Sequence, residues 1–252
     1  MKMLSRRLLI AAMILLACAQ TTFAQTADEI IDKYLTAIGG RAALGKLTSR
    51  TTTGTITLST PGGDVSGPVE IYNQAPNKSR TLIKLDLSSF GAGQMTFDQR
   101  FNGTAGYVID TLQGNRDIAG NQLENMKNAS FPTPFLNYKE LGATAELSGK
   151  EKVGAREAYV IVFKPKSGSA ARQFIDTESY LPIKTVIKVE LPQFGEVEQT
   201  TEFSDYRDVD GIKVAFSVHA TSSVQTSTVA ITKVEHNTKI DDALFSKSQA
   251  EK

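Results

Sequence analysis

The sequence has 252 residues, 40% hydrophobic and 22% charged, with 28 basic against 27 acidic side chains. Charge this balanced and dispersed excludes the basic stripe that binding to nucleic acid or an anionic membrane surface requires. One cysteine and two histidines exclude the closely spaced ligand sets of zinc sites, and no metal or cofactor is expected.

The chain opens with a basic head, Lys2, Arg6 and Arg7, then the apolar run from Leu8 to Ala17 and a small-residue exit at Thr22-Phe23-Ala24. This pattern reads as a secretory signal peptide over residues 1–24, cleaved near Ala24, which places the product in the periplasm as a soluble protein. Removing its three basic residues leaves 25 basic against 27 acidic. The cysteine, Cys18, falls inside the leader, where Leu15-Leu16-Ala17-Cys18 is an imperfect lipidation box. Lipidation at Cys18 is the alternative and would make an anchored outer-membrane lipoprotein. No later apolar run approaches the roughly 20 residues needed to cross a bilayer as a helix.

Thr26-Ala27-Asp28-Glu29 has the form of a capping box. The helix that follows sets Ile30, Ile31, Tyr34, Leu35 and Ile38 on one stripe and ends at Gly39-Gly40. From Thr51 the period changes to two. Ile83, Leu85 and Leu87 alternate with Lys84 and Asp86, and Met95, Phe97 and Phe101 with Thr96, Asp98 and Arg100. Between Ile118 and Leu141 the strands pause. Leu123, Met126 and Phe131 predict a short helix, broken by Pro132 and Pro134 before Phe135-Leu136, which makes a natural lid.

Strands then resume. Ala158–Phe163 is apolar on both faces and predicts cover on both sides. Ile187, Val189 and Leu191 oppose Lys184, Lys188 and Glu190, and Asp210-Gly211 signals a type I′ hairpin. The reading is mainly β: one antiparallel domain over residues 25–252, with about eleven strands.

Catalytic chemistry is not visible. His219 and His236 have no triad partner nearby in sequence, and Glu196 and Glu198 read as an exposed strand face. Asp205–Gly211 lacks the oxygen spacing of a calcium loop. The expectation is a non-enzyme.

The order of turns carries a resemblance. It includes Pro76-Asn77, Phe101-Asn102-Gly103-Thr104-Ala105-Gly106-Tyr107, the helical insertion, Asp176-Thr177-Glu178-Ser179-Tyr180-Leu181-Pro182, the hairpin Asp205–Phe216 and the closing Asn237–Phe245. In this order the chain resembles the outer-membrane lipoprotein-sorting family, the Lol-type periplasmic carriers and acceptors, over roughly Ala27 to Phe245. The resemblance implies an incomplete, strongly curved antiparallel barrel with helices across its mouth. Its hollow would hold the acyl chains of a lipoprotein or another lipid. The family's lid-fastening arginine, just before the Pro-Asn turn, is replaced here by Ala75, and Tyr107 stands where tryptophan is usual.

Within that frame, alternation nominates Ile83, Leu85, Met95, Phe97, Ile187, Val189 and Leu191 as cavity wall. Phe131, Phe135 and Leu136 are nominated for the lid. The expected partners are a lipid or acylated lipoprotein and an envelope or outer-membrane protein, with the protein itself a monomer. The competing reading is an envelope interaction or sensing module with a filled core and no ligand.

Overall fold

A computed structural model of the chain describes residues 25–60, 62–191 and 194–247, with Leu191 described in backbone only. The leader, its cleavage point and Cys18 lie outside the described residues.

Thr26 caps helix α1 (Ala27–Ala37): Glu29 N–H donates to Thr26 Oγ1 at 3.2 Å, and Thr26 N–H to Glu29 Oε2 at 3.1 Å. A single turn, α2 (Arg41–Leu44), follows. The strands of the first half are β1 (Ser49–Thr60), β2 (Gly63–Gln74), β3 (Lys78–Asp86), β4 (Gln94–Phe101), β5 (Gly106–Asp110) and β6 (Arg116–Ile118). Helix α3 (Gly120–Asn128) and a 3₁₀ turn at Pro134–Leu136 fill the pause. The second half holds β7 (Thr144–Val153), β8 (Arg156–Lys164), β9 (Ala171–Asp176), β10 (Pro182–Leu191), β11 (Gly195–Val209), β12 (Ile212–Ser222) and β13 (Thr226–His236).

All thirteen strands form one antiparallel sheet in the order β6-β5-β4-β3-β2-β1-β13-β12-β11-β10-β9-β8-β7. The first and last strands pair at the centre, and β6 and β7, neighbours in sequence, form the two free edges. The sheet is therefore an unclosed barrel, with two strands more than the sequence predicts. The extra two are those edges. Strand β6 has three residues, and β7 carries Glu146, Lys150, Glu151 and Lys152 in largely exposed positions, so neither shows clear alternation. Short, charged edges of this kind resist pairing with other chains.

Neighbouring strands approach closely where side chains are missing. A Cβ on Gly67 would lie 2.1 Å from the carbonyl oxygen of Lys84, and one on Gly54 would lie 2.4 Å from that of Ala230. Strand β1 also slips register against β13 between Thr53 and Gly54. Glycine lets the neighbouring backbones approach, and the bulge bends the strand.

The concave face is filled at one end. Ile30, Ile31 and Leu35 of α1 pack with Phe135, Tyr159, Ile161, Phe163 and Ile175. Each fully buried aliphatic side chain contributes about 1.5–3 kcal/mol. Strand β8 is covered on both faces, as its composition predicts. Tyr159, Ile161 and Phe163 face the helices, while Ala158 and Val160 join Phe174, Ile183 and Val186 on the other side. There the Phe174 ring is covered by Arg172, 5.0 Å away, and Lys184, 4.9 Å away. The other end of the concavity has a floor of Ile56, Val65, Val69 and Leu85, with no helix of the described residues packed on it.

At the Asp210-Gly211 turn both residues have positive φ, 53° and 79°, as a type I′ hairpin demands. Among the described residues no helix is long and apolar enough to cross a membrane.

Candidate ligand-binding site

The uncovered end of the concave face holds a cavity of about 430 Å³. Ile56 and Leu58 from β1, Ile83 and Leu85 from β3, and Met95 and Phe97 from β4 form its wall. Register explains the grouping: Ile83 pairs with Phe97 and Leu85 with Met95, so all four side chains point the same way. Gln99, Asp110, Arg116, Gln122 and Glu190 make a polar margin, and Phe194 and Val224, both largely exposed, stand at the rim.

Helix α3 straps the concavity between its two arms. Gln122 donates to Gln99 of β4, Asn125 to the Ser169 hydroxyl and Asn128 to the Ser167 carbonyl, both in the β8–β9 loop. None of its residues is buried. The segment after it docks on the first arm, where Phe131 N–H donates to the Pro76 carbonyl at 2.7 Å.

Beneath that segment lies a second cavity of about 380 Å³, lined by Tyr34, Arg50, Thr52, Ile71, Pro132 and Phe135 among others. Arg50 Nε donates to His236 Nε2 at 3.2 Å, and the guanidinium carbon sits 5.4 Å from the centre of the Phe131 ring. Because Nε2 accepts, the imidazole proton belongs on Nδ1, which lies 3.5 Å from Asp210 Oδ2. Burial, with the Arg50 charge behind it, holds His236 below the ordinary histidine pKa. Tyr34 shares a 3.0 Å hydrogen bond with Thr133, and burial pushes its phenol up.

Of the sequence-predicted wall, Ile83, Leu85, Met95 and Phe97 come together in the outer cavity. Ile187 lines a smaller neighbouring hollow beside Asn125 and Phe135. Val189 lines none of the described cavities, and Glu190 is the β10 residue that reaches the outer one. Strand β10 loses its β9 partner after Ile187, and a two-stranded ribbon twists more strongly than an internal strand, which defeats simple alternation. The Leu191 side chain lies outside the described residues. Phe135 is buried against Tyr34, Tyr138 and Phe163, Leu136 packs at the edge of the same cluster, and Phe131 stacks on Arg50.

Ile56 and Leu58 are hidden in the sequence among the threonines of β1, although their alternation with Thr55 and Thr57 is a readable signal. Arg50 gives none. His219 sits between Thr228, 2.9 Å from Nδ1, and Thr221, 3.1 Å from Nε2, and lines none of the described cavities. Glu196 is an exposed ion-pair partner of Lys188 at 2.8 Å. Among the described residues no group of three His, Cys, Asp or Glu side chains is placed to hold a metal ion.

A LolA superfamily protein from Nitrosomonas europaea superimposes with a TM-score of 0.56 at 12% identity, over 89% of this chain and 99% of its own. The two proteins share a fold. A DUF1329 family protein from Desulfovibrio piger matches with a TM-score of 0.58 and 13% identity, over 91% of this chain and 100% of its own. A lipoprotein-sorting protein domain from Vibrio parahaemolyticus gives 0.55 and 13%, over 86% and 94%. At such identities the likeness is one of fold. A family model described as an uncharacterized protein matches residues 137–252, less than half of the chain. No curated protein matches the sequence. The outer cavity is walled by strands of the first arm, and the family-model match covers the second arm.

Proposed function

We propose that this is a non-enzymatic periplasmic binding or carrier protein, released by cleavage near Ala24, that holds lipid or lipoprotein acyl chains in the concave face of its half-barrel. The observation that carries the reading is the apolar wall of Ile56, Leu58, Ile83, Leu85, Met95 and Phe97 around an open space of about 430 Å³. A volume of this size falls within the range of small-molecule sites. Each methylene leaving water there contributes about 0.8 kcal/mol, so an acyl chain binds without any reacting group. The strap and the segment after it are then the parts that open for loading. The Vibrio relative is named for lipoprotein sorting, which supports an acylated cargo and an envelope partner that gives or receives it.

The test is uptake of an uncharged fluorescent apolar probe. Phe97→Asp places a charge in the wall and abolishes uptake while circular dichroism stays that of the parent. Unchanged uptake rejects the assignment. Mass spectrometry of lipids extracted from the natively purified protein identifies the cargo, and a protein that always emerges empty points to the interaction module instead.

A further inference from the structure

We infer that the second cavity, beneath the segment after α3, is an anion receptor for a single-chain amphiphile, in which the Arg50 guanidinium holds a carboxylate or phosphate head and Ile71, Phe203, Val218 and Ile231 receive hydrocarbon. The inference concerns a different cavity from the outer one and does not depend on it.

The guanidinium enters the cavity from β1 and is fixed on two sides. Its Nε is taken by His236, and its plane rests near the Phe131 ring. Among the described residues Nη1 and Nη2 make no hydrogen bond. A planar fork with two parallel N–H groups matches the two oxygens of a carboxylate or phosphate.

Among the described residues no carboxylate is placed to neutralise it. No Asp or Glu lines this cavity, and the second charged residue that does, Lys213, is also positive. The Nε2 that accepts from Arg50 belongs to a neutral imidazole. Burial lowers the Arg50 pKa, which marks a desolvated charge without a counter-ion. Leaving a partly buried, desolvated guanidinium uncompensated is costly, and an anionic ligand removes that cost. The outer cavity is the opposite case, since Asp110 and Glu190 outnumber Arg116 there.

The surroundings select the rest of the ligand. Thr52, Asn73 and Thr133 supply uncharged polar groups to the same cavity, while the apolar residues named above make its far wall. A bare inorganic anion would leave that wall wet, and a neutral lipid would leave Arg50 unpaired.

Isothermal titration below micellar concentrations, on the full protein, compares dodecanoate, dodecyl phosphate, dodecanol and inorganic phosphate. Both anionic amphiphiles are expected to bind at least tenfold more tightly than dodecanol. Arg50→Gln brings them to the dodecanol level, and Arg50→Lys, which keeps charge but loses the fork, falls between. In Phe97→Asp, where apolar ligands no longer enter the outer cavity, dodecanol binding as tightly as dodecanoate overturns the inference. So does a preference for anions that survives in Arg50→Gln. Inorganic phosphate binding as tightly as dodecyl phosphate overturns the amphiphile in favour of a small anion. In Phe97→Asp the anion preference is expected to persist; its loss would move the anion site to the outer cavity and overturn the assignment to Arg50.

Discussion

Arg50 and His236 face each other across the pair formed by the first and last strands, with Nε of one donating to Nε2 of the other at 3.2 Å. The bond exists only while the imidazole is neutral, since a protonated Nε2 has no lone pair to accept it. The His236 pKa is held below its ordinary 6.5, by burial first and the Arg50 charge second. The unfolded chain therefore binds the proton more readily than the folded one, and stability rises with pH in that window. Stability present above about 6.5 is expected to drain away as pH falls through the lower, folded-state pKa. Urea denaturation between pH 7.5 and 5 measures the slope, and His236→Gln should flatten it. An unchanged slope in the variant would assign the titration elsewhere.

Asp98 binds two arginines on the face opposite Phe97. Arg80 donates from Nε and Nη2 at 2.8 and 2.7 Å, and Arg100 from Nη2 at 2.8 Å. The carboxylate is 4% exposed. Burial alone would raise its pKa, yet the bonds from Arg80 and Arg100 hold it below the usual value. Asp98→Ala removes the buried carboxylate on which both guanidinium groups converge. Loss of a partner in a buried pair costs about 3–5 kcal/mol. Chemical denaturation should show a drop of that size, whereas Asp98→Glu should retain part of it.

Phe135 ties the lid segment to the core. Its ring meets Phe163 at 5.1 Å and Tyr34 at 5.6 Å, both edge to face. Phe135→Ala is expected to cost about 3–5 kcal/mol as a buried aromatic truncation. Limited proteolysis should then cut near residues 129–137 before the parent is cut anywhere. A variant that loses stability without early cutting there would show that the segment is held by other contacts.

Thr26→Ala removes one half of the capping box. The expected loss is about 1 kcal/mol, seen as a lowered denaturation midpoint with unchanged slope.

The sequence is most informative where one physical signal acts alone. Thr26 and Glu29 announce the helix start, Asp210-Gly211 announces its turn, and the alternation through Ile83–Leu87 and Met95–Phe101 places those side chains on one face. It fails where geometry departs from the regular strand. Val189 follows Ile187 by two, yet beyond Ile187 strand β10 is paired on one side only, and Glu190 is the residue that reaches the cavity. Arg50 looks in the sequence like any strand-end cation. Its isolation depends on His236, 186 residues away, and on the absence of carboxylates from elements far along the chain. No local pattern can express that.

Pairing β1 with β13 also sets an order of assembly. The bond from the Thr232 hydroxyl to the Thr53 carbonyl spans 179 residues. Each arm is a run of hairpins that can form early from local contacts, but the seam between them closes only after β13 has been made. Seams of such sequence separation form slowly. Until then β1 and β12 are bare strand edges that can pair with other chains. Deleting β13 should therefore raise aggregation on refolding, whatever the two arms still do on their own.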